Sequence, residues 1–210
     1  MASTTSEWEQ LTQEILSCKR CPLAHSRTQA VPGVGPNTAR LVIIGEAPGR
    51  QEDLQGEPFV GAAGRLLTQL LEEAGIPRTT VFITNTVKCR PPDNRQPTQS
   101  EQDACRPLLI RQLAYIQPKV IALVGRVPAE SLLNTAVRMG ATHGQTLTQK
   151  GQAFFVMYHP AAGLYNQALV PTLQEDMQRL KQLLAEEGSL GKSEEKGQLG
   201  LGRFFSEQRE

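Results

Sequence analysis

The stretch LVIIGEAPG, at residues 41–49, is a short apolar run that ends abruptly in polar and turn-forming residues. An apolar run without polar alternation predicts a strand that is buried on both faces, as in a parallel sheet. Three further runs of this kind follow at residues 81–84, 120–125 and 154–158. The sequence therefore predicts a central sheet of four strands.

Helical patterns lie before, between and after these strands. Residues 7–17 place Trp8, Leu11, Ile15 and Leu16 on one helical face, and residues 64–74, 100–116 and 170–187 also have helical character. Strands that alternate with helices predict an α/β fold, specifically a three-layer α/β/α sandwich around a mainly parallel sheet. We expect one domain over residues 1–188 and a flexible tail over residues 189–210, where Gly, Ser, Glu and Lys predominate.

Composition excludes some classes of protein. The chain has 210 residues, of which 39% are hydrophobic and 20% charged, as in ordinary globular domains. No apolar run approaches the ~18 residues that a membrane span needs, and residues 1–10 lack the features of a secretory signal. We therefore expect a cytoplasmic protein with no membrane partner. The net charge of +1 does not by itself select a partner.

The four cysteines form a close pair, Cys18 and Cys21, and a distant pair, Cys89 and Cys105. In a reducing cytosol, thiols that come together from separate segments bind metals more often than they form disulfides. Soft thiolate ligands suit zinc and iron–sulfur clusters. The sequence thus predicts a metal or cluster site.

Polar residues stand where three of the predicted strands end. Glu46 follows the first strand, Asn85 the second and His159 the fourth. Ligands of open parallel sheets bind beyond the carboxyl ends of the strands, so these side chains are expected to share one rim. A single Asn or His at such a place is usually a turn or surface residue, whereas the joint placement of three indicates a pocket.

Several motifs together resemble the family 4 uracil-DNA glycosylases, the iron–sulfur branch of their superfamily. They are Gly45-Glu-Ala-Pro-Gly with Glu52-Asp53, Pro58-Phe-Val-Gly-x-x-Gly64, Thr84-Asn-x-Val-Lys-Cys-Arg-Pro-Pro92 and Tyr158-His-Pro-Ala161. The resemblance extends from about Cys18 to Leu184. It implies the uracil-DNA glycosylase superfamily fold and a monofunctional hydrolase that removes uracil from DNA in base excision repair. It also implies a 4Fe–4S cluster on Cys18, Cys21, Cys89 and Cys105.

The resemblance assigns roles in the pocket. Phe59 resembles the platform on which the flipped uracil stacks, although a core residue covering the sheet edge is the alternative from composition. Asn85 resembles the residue that reads the uracil edge, for which a primary amide offers one donor and one acceptor. His159 resembles the residue that faces uracil O2 and stabilises the departing anion.

The segment Glu46-Ala47-Pro48 resembles the one that lines the uracil and holds the attacking water. Glu52 matches the position proposed to orient that water, and Asn94 is a candidate helper. The alternative for Glu52 is a solvated helix start, where acidic residues are favoured by the helix dipole.

Basic residues near the second cysteine pair, Lys88, Arg90 and Arg95, are candidates for contact with DNA. One departure from the family concerns the segment after His159. The family commonly continues with Leu-Leu-Arg, whereas this chain has Gly163-Leu-Tyr-Asn166, so an expected DNA-contacting arginine is missing. A second is Arg126, which stands where the family usually has a small residue.

The tail carries a pattern typical of sliding-clamp-binding peptides, formed by Gln198, Leu201, Phe204 and Phe205. A chance match, or a tail that packs on its own domain, is an equal alternative. We otherwise expect a monomer that acts on single- or double-stranded DNA in a prokaryotic cytoplasm, at the nucleoid.

Two further functional classes remain open from sequence. One is a nucleic-acid-binding protein stabilised by zinc or a cluster but without catalysis. The other is an electron-transfer protein, which the pocket residues disfavour. The 67 residues between Cys21 and Cys89 favour a cluster over a local zinc motif.

Overall fold

The computed structural model describes residues 6–190 and is built on one five-stranded sheet. The strands are β1 (Leu41–Gly45), β2 (Val81–Asn85), β3 (Val120–Val124), β4 (Gln145–Gln149) and β5 (Gln152–Met157). Their order is β2-β1-β3-β5-β4, and every neighbouring pair is parallel except β4 with β5. The predicted α/β fold with a mainly parallel sheet is confirmed.

Within residues 6–190, the helices include the four predicted segments and five shorter helices that the sequence did not predict. They are α1 (Glu7–Ser17), α2 (Leu23–Ser26), α3 (Arg50–Gln55), α4 (Ala62–Glu73), α5 (Gln99–Ile116), α6 (Arg126–Leu133), α7 (Met139–Thr142), α8 (Pro160–Tyr165) and α9 (Val170–Leu190). Capping boxes explain two of the starts: Ser6 with Glu9 begins α1, and Thr98 with Glu101 begins α5.

Two apolar layers make the sheet the centre of a sandwich. Alternate residues of each strand point to opposite faces, as Ile43 and Ile44 of β1 do. The Ile43 face packs against α4 and α9, and the Ile44 face packs against α5 and α6. Burial on both faces explains why β1 and β3 consist almost entirely of apolar residues and why β2 begins with three of them.

The expected number of four strands is wrong, because the sheet has a fifth, antiparallel strand at its edge. Strand β4 has the sequence QTLTQ and is largely exposed, so it lacks the apolar run used to find the others. A tight turn at Lys150 and Gly151, with φ angles of 48° and 82°, pairs it with β5. Polar side chains at a sheet edge also discourage pairing with other chains.

The order of the strands creates a crevice beside β1. Strand β2 lies on one side of β1 and β3 on the other, so the connection from β1 to β2 and the connection from β2 to β3 run in opposite directions across the sheet. Ligands of such sheets bind beyond the carboxyl ends of the strands at this switch point. The loop that begins at Glu46 therefore starts at the favoured position for a binding site.

No helix of the described part is long and apolar enough to cross a membrane. Helix α9 continues to Leu190, two residues beyond the predicted end of the domain. The clamp-binding pattern of the tail lies outside the described residues and stays a prediction.

Candidate active site

The residues predicted at the strand ends surround one cavity of about 450 Å³. Its lining includes Glu46, Ala47, Pro48, Glu52, Phe59, Asn85, Asn94, Arg95 and His159. The register explains the convergence, since Gly45 pairs with Asn85 at the ends of β1 and β2, and β5 ends beside β3, two residues before His159. The volume falls within the range of small-molecule sites.

Asn85 presents its side chain to the cavity from the last position of β2. The residue is only 2% exposed, and within residues 6–190 no hydrogen bond engages its side-chain amide. The absent side chain of Gly45 makes room for it: a Cβ there would lie 2.5 Å from Asn85 Oδ1 and 2.7 Å from Phe59 Cζ. The amide faces the cavity, where a ligand can pair with it, and a hydrogen bond of this kind typically contributes about 0.5–1.5 kcal/mol.

Phe59 forms a flat wall of the cavity. Its ring stacks on that of His159 with centroids 5.5 Å apart and an interplanar angle of 25°. The backbone of Phe59 has a φ of 54°, and Arg78 donates to its carbonyl oxygen at 3.2 Å. Gly64 lies directly beneath, where a Cβ would come within 1.9 Å of that oxygen. Phe59 is also part of the hydrophobic core. It therefore has both roles considered for it, since it packs in the core and lines the cavity.

His159 is held in one orientation at the start of α8. Its Nδ1 accepts a hydrogen bond from the backbone N–H of Ala161 at 3.1 Å. Burial lowers the pKa of His159 to about 4, which the nearby Glu52 carboxylate only partly opposes. The ring is therefore neutral at pH 7. Because Nδ1 accepts, the single ring proton resides on Nε2, which becomes a hydrogen-bond donor.

Glu52 spans the cavity wall and the start of α4. Its Oε1 accepts from the backbone N–H groups of Val60 and Gly61 at 3.0 and 2.9 Å. Gly61 is the N-cap of α4, so the carboxylate also interacts favourably with the helix dipole. The second oxygen, Oε2, lies on the side of Gly49, where a Cβ would come within 2.8 Å of it. This placement differs from the solvated helix start considered above.

The rim opposite Glu52 is formed by the turn after β2. Asn94 is exposed, and its Oδ1 accepts from Arg90 Nε at 2.7 Å. The exposed Arg95 makes a two-pronged ion pair with Glu101 at 2.8 and 2.7 Å. Burial raises the pKa of Glu46, while Arg126 partly counteracts this shift. The cavity mouth is thus polar and carries both signs of charge.

The four cysteines meet at a second site behind this rim. They line one small cavity together with Arg20, Arg27 and Lys88, and all four are free thiols. Arg27 Nη1 donates to Cys89 Sγ at 2.9 Å, and the backbone N–H of Lys88 donates to Cys105 Sγ at 3.3 Å. Burial raises the pKa of Cys105 to about 11, a shift opposed by the charge of Lys88.

Four thiols are the donor set of structural zinc sites and of iron–sulfur centres alike. Over residues 6–190, no group of three or more Cys, His, Asp or Glu residues is arranged to hold a metal ion. Four thiols around one cavity nevertheless match the ligand number of a 4Fe–4S cluster. The two cations beside the sulfurs, Arg27 and Lys88, would balance thiolate charge.

Comparison with known proteins identifies the family of this chain. Residues 32–184 match the model of the Uracil DNA glycosylase superfamily. The chain is 43% identical over 187 residues to the type-4 uracil-DNA glycosylase of Sulfurisphaera tokodaii, covering 83% of this chain and 84% of that protein. The chain belongs to the type-4 uracil-DNA glycosylase family.

Two other type-4 uracil-DNA glycosylases show a similar relationship. The protein of Archaeoglobus fulgidus is 43% identical, over 83% of this chain and 92% of its own length. The protein of Thermotoga maritima is 39% identical, over 86% of this chain and 96% of its own length. The similarity therefore extends over nearly the whole of these relatives.

For one site residue, Lys88, the location predicted from the sequence differs from the location in the structure. Lys88 was predicted to contact DNA, and this prediction is wrong, because the residue is only 1% exposed. Its Nζ donates to Thr84 Oγ1 at 2.5 Å and to the carbonyl oxygen of Asn85 at 3.0 Å. A basic residue in a turn is normally solvated, and the sequence carried no sign that this one folds inward. Arg90 and Arg95 remain candidates for DNA contact.

The sequence reasoning also missed two residues at the cavity mouth. Leu164 and Tyr165, at the end of α8, line the cavity and are 46% and 93% exposed. They occupy the segment in which this chain departs from the family pattern. The available signal was the pair of large side chains, Leu164 and Tyr165, shortly after His159-Pro160 in the chain. Arg126, the other departure, lies outside this cavity and pairs with Glu130 at 3.3 Å.

Proposed function

We propose that this protein is a uracil-DNA glycosylase that hydrolyses the bond between C1′ of the sugar and N1 of uracil in DNA. Water adds its hydroxyl to C1′ and its proton goes to the departing base, which leaves free uracil and an abasic site for base excision repair. The observation that carries the proposal is the unpartnered amide of Asn85 beside the Phe59 and His159 rings in one cavity. The similarity to enzymes named uracil-DNA glycosylases supports it.

Recognition of the base follows from these side chains. A base within a duplex is out of reach, so the nucleotide must swing out of the helix into the cavity. There the Phe59 face supports stacking, for which typical contributions are about 1–3 kcal/mol per base. The Asn85 amide accepts from uracil N3–H and donates to O4. Cytosine presents the opposite pattern and is rejected, since its pairing would leave buried polar groups unsatisfied.

Cleavage depends on stabilising the charge that develops as the bond breaks. Uracil leaves as an anion, with negative charge on O2, and the sugar becomes positive. A neutral His159 that donates from Nε2 can stabilise O2 without losing its own proton, which suits a ring with a pKa of about 4. We assign orientation of the attacking water to Glu52, with help from Asn94 and the Glu46-Ala47-Pro48 segment.

We propose that the four cysteines hold a 4Fe–4S cluster with a structural role. The donor set and its two cations support this assignment. The ligands come from the end of α1, the start of α2, the loop after β2 and the interior of α5, so the cluster would tie these segments together. Hydrolysis of uracil transfers no electrons, and bound iron would therefore supply rigidity to the DNA-facing loops.

Contact with DNA is assigned to the rim of the cavity. Arg90, which is half-buried and follows Cys89 in the chain, and the exposed Arg95 can pair with phosphates. Tyr165, at the mouth, replaces the arginine that the family pattern leads one to expect. An exposed ring at this place can stack on bases next to the flipped nucleotide. We further propose that the protein acts as a monomer in a prokaryotic cytoplasm, at the nucleoid. The sliding-clamp partner remains a prediction.

A uracil-containing oligonucleotide tests the function directly. The purified protein should release uracil and leave sites that alkali cleaves, whereas Asn85→Ala and His159→Ala should lose activity. Loss of a preorganised donor such as His159 lowers rates by about 10²–10³-fold. His25→Ala is the matched control, because His25 is exposed and lies outside the cavity.

Absorbance tests the cluster independently of activity. Thiolate-bound iron–sulfur centres are brown and have an absorbance band at about 400 nm, whereas zinc sites have neither the colour nor the band. Both active-site variants should keep this band. A protein with an intact cluster that releases no uracil would support the non-catalytic nucleic-acid-binding alternative instead.

A further inference from the structure

Lys88 is a buried lysine without an acidic partner. It is 1% exposed, and none of the ion pairs among the described residues includes it. An ammonium group in a protein interior is expensive unless other groups compensate its charge. Lys88 lines the same small cavity as Cys89 and Cys105, whose sulfurs would compensate its charge as thiolates. The residue therefore fits a place next to a cluster of thiolates.

The hydrogen bonds of Lys88 link this sulfur cluster to the uracil pocket. Its backbone N–H donates to Cys105 Sγ at 3.3 Å. Its side chain turns back along β2, where Nζ donates to Thr84 Oγ1 and to the carbonyl oxygen of Asn85 at 3.0 Å. One residue thus contacts a thiol at one end and the backbone of Asn85 at the other.

The peptide that follows Asn85 is held from both sides. Lys88 Nζ binds its carbonyl oxygen, and the N–H of Thr86 donates to the carbonyl oxygen of Gly45 at 2.8 Å. Thr86 Oγ1 donates to the same oxygen at 3.1 Å. These bonds set the direction in which the Asn85 side chain leaves the strand. The amide itself has no bond to a described residue that could orient it.

We propose that Lys88 is a positioning residue that aligns the amide of Asn85 with the uracil edge and is retained by the four-cysteine centre. The inference rests on the proposed function and deepens it: the cluster site would contribute to base recognition through one buried side chain. Lys88 touches neither the base nor the reacting atoms, so its effect must pass through Asn85.

A double-mutant cycle tests whether Lys88 acts through Asn85. Lys88→Met removes the charge and both side-chain bonds while keeping an unbranched apolar stem. We expect about a tenfold lower kcat/KM on uracil-containing DNA and about tenfold weaker binding of free uracil by calorimetry, the effect of one lost bond to a charged group. In an Asn85→Ala background, the same change should lower single-turnover rates by less than about twofold, because coupled residues are non-additive.

Gln152→Met provides the matched control. Gln152 is 4% exposed and also donates to two carbonyl oxygens, those of Lys119 and Ala153, but it lies at the opposite end of the sheet. It should lose stability without losing uracil affinity. Iron per chain is measured for every variant, so that an effect of cluster loss is separated from an effect on Asn85.

Several results would overturn the inference. It fails if Lys88→Met binds uracil as tightly as Gln152→Met, or if the losses from Lys88→Met and Asn85→Ala simply add. If Lys88→Met does not fold, Thr84→Val removes one of the two acceptors and enters the same cycle. It should cost about threefold in the presence of Asn85 and have no effect in its absence; additive losses again overturn the inference. An inactive wild-type protein would instead refute the proposed function.

Discussion

Glu52 offers the sharpest test of the catalytic assignment, because its two carboxylate oxygens do different work. Oε1 accepts two backbone N–H groups at the start of α4, while Oε2 is not engaged there. In Glu52→Gln, the amide oxygen can still accept both N–H groups, and the NH2 group takes the place of Oε2. The substitution therefore preserves the loop that carries Phe59 and removes the group that would orient water.

The expected losses of stability and of rate distinguish the structural role of Glu52 from its catalytic role. A carboxylate that binds two backbone N–H groups at a helix start contributes about 2 kcal/mol to stability, so Glu52→Ala should cost about that much and Glu52→Gln only about 1 kcal/mol. A positioned general base contributes about 10²–10⁴-fold to the rate, which equals about 3–5 kcal/mol of barrier. Glu52→Gln should thus be nearly as inactive as Glu52→Ala although it is more stable.

Single-turnover uracil release and denaturant unfolding measure the two effects. Asp53→Asn is the matched control, since this neighbouring carboxylate is 3% exposed and binds the backbone N–H of Thr28 but does not line the cavity. It should lose stability and keep its rate per folded molecule. If Glu52→Gln retains a rate within about threefold of the wild type, Glu52 serves only the start of α4, and the water is oriented by another group.

Three further predictions concern the pocket and its mouth. The folded-state pKa of His159 is about 4, below the value of about 6.5 in the unfolded chain, so the unfolded chain binds the proton first as the pH falls. Stability should therefore decrease by about 2 kcal/mol more between pH 6.5 and 4 than in His159→Gln, as measured by urea unfolding, and equal slopes would contradict the buried neutral ring. Gly45→Ala should abolish uracil binding while the protein stays folded, because the added methyl occupies the space of the Asn85 amide and the Phe59 ring; unchanged calorimetric binding would show that the pocket is elsewhere. Tyr165→Ala should lower kcat/KM by about tenfold on duplex substrates and less on single strands, because a stacking contact of about 1–3 kcal/mol is lost where neighbouring bases must be held apart. Equal losses on both substrates would contradict a role for this ring at the base step.

Most of the fold could be predicted because its signals are local. The apolar runs of β1, β2, β3 and β5 reflect burial on both faces, and that requirement is visible in each segment alone. Strand β4 could not be found in this way, since an edge strand needs only backbone pairing with β5 and a turn at Lys150 and Gly151. Backbone pairing of this kind does not require apolar side chains, so it gives no apolar run in the sequence.

The candidate site was predicted in part for the same reason. Residues at the carboxyl ends of parallel strands must share one rim, so Asn85 and His159 could be placed together before any coordinates. The exposed Tyr165 was noted in the sequence but received no role, because exposure at the mouth depends on how α8 packs. The tautomer of His159 also needed the structure, since it follows from the N–H of Ala161.

The amino-acid sequence alone determined the class of fold, the residues that converge on the pocket and the four thiols, because each depends on residue type at a given position in a strand, loop or helix. Only the tertiary structure decided where individual side chains point. Lys88 is the clearest case: its position between Asn85 and Cys89 suggested a surface cation, and the structure buries it. The direction of a long side chain follows from the hydrogen-bond acceptors and charges that surround it in the folded chain. In this protein those are the carbonyl of Asn85, the hydroxyl of Thr84 and the sulfur of Cys105, which the folded chain brings together around one ammonium group.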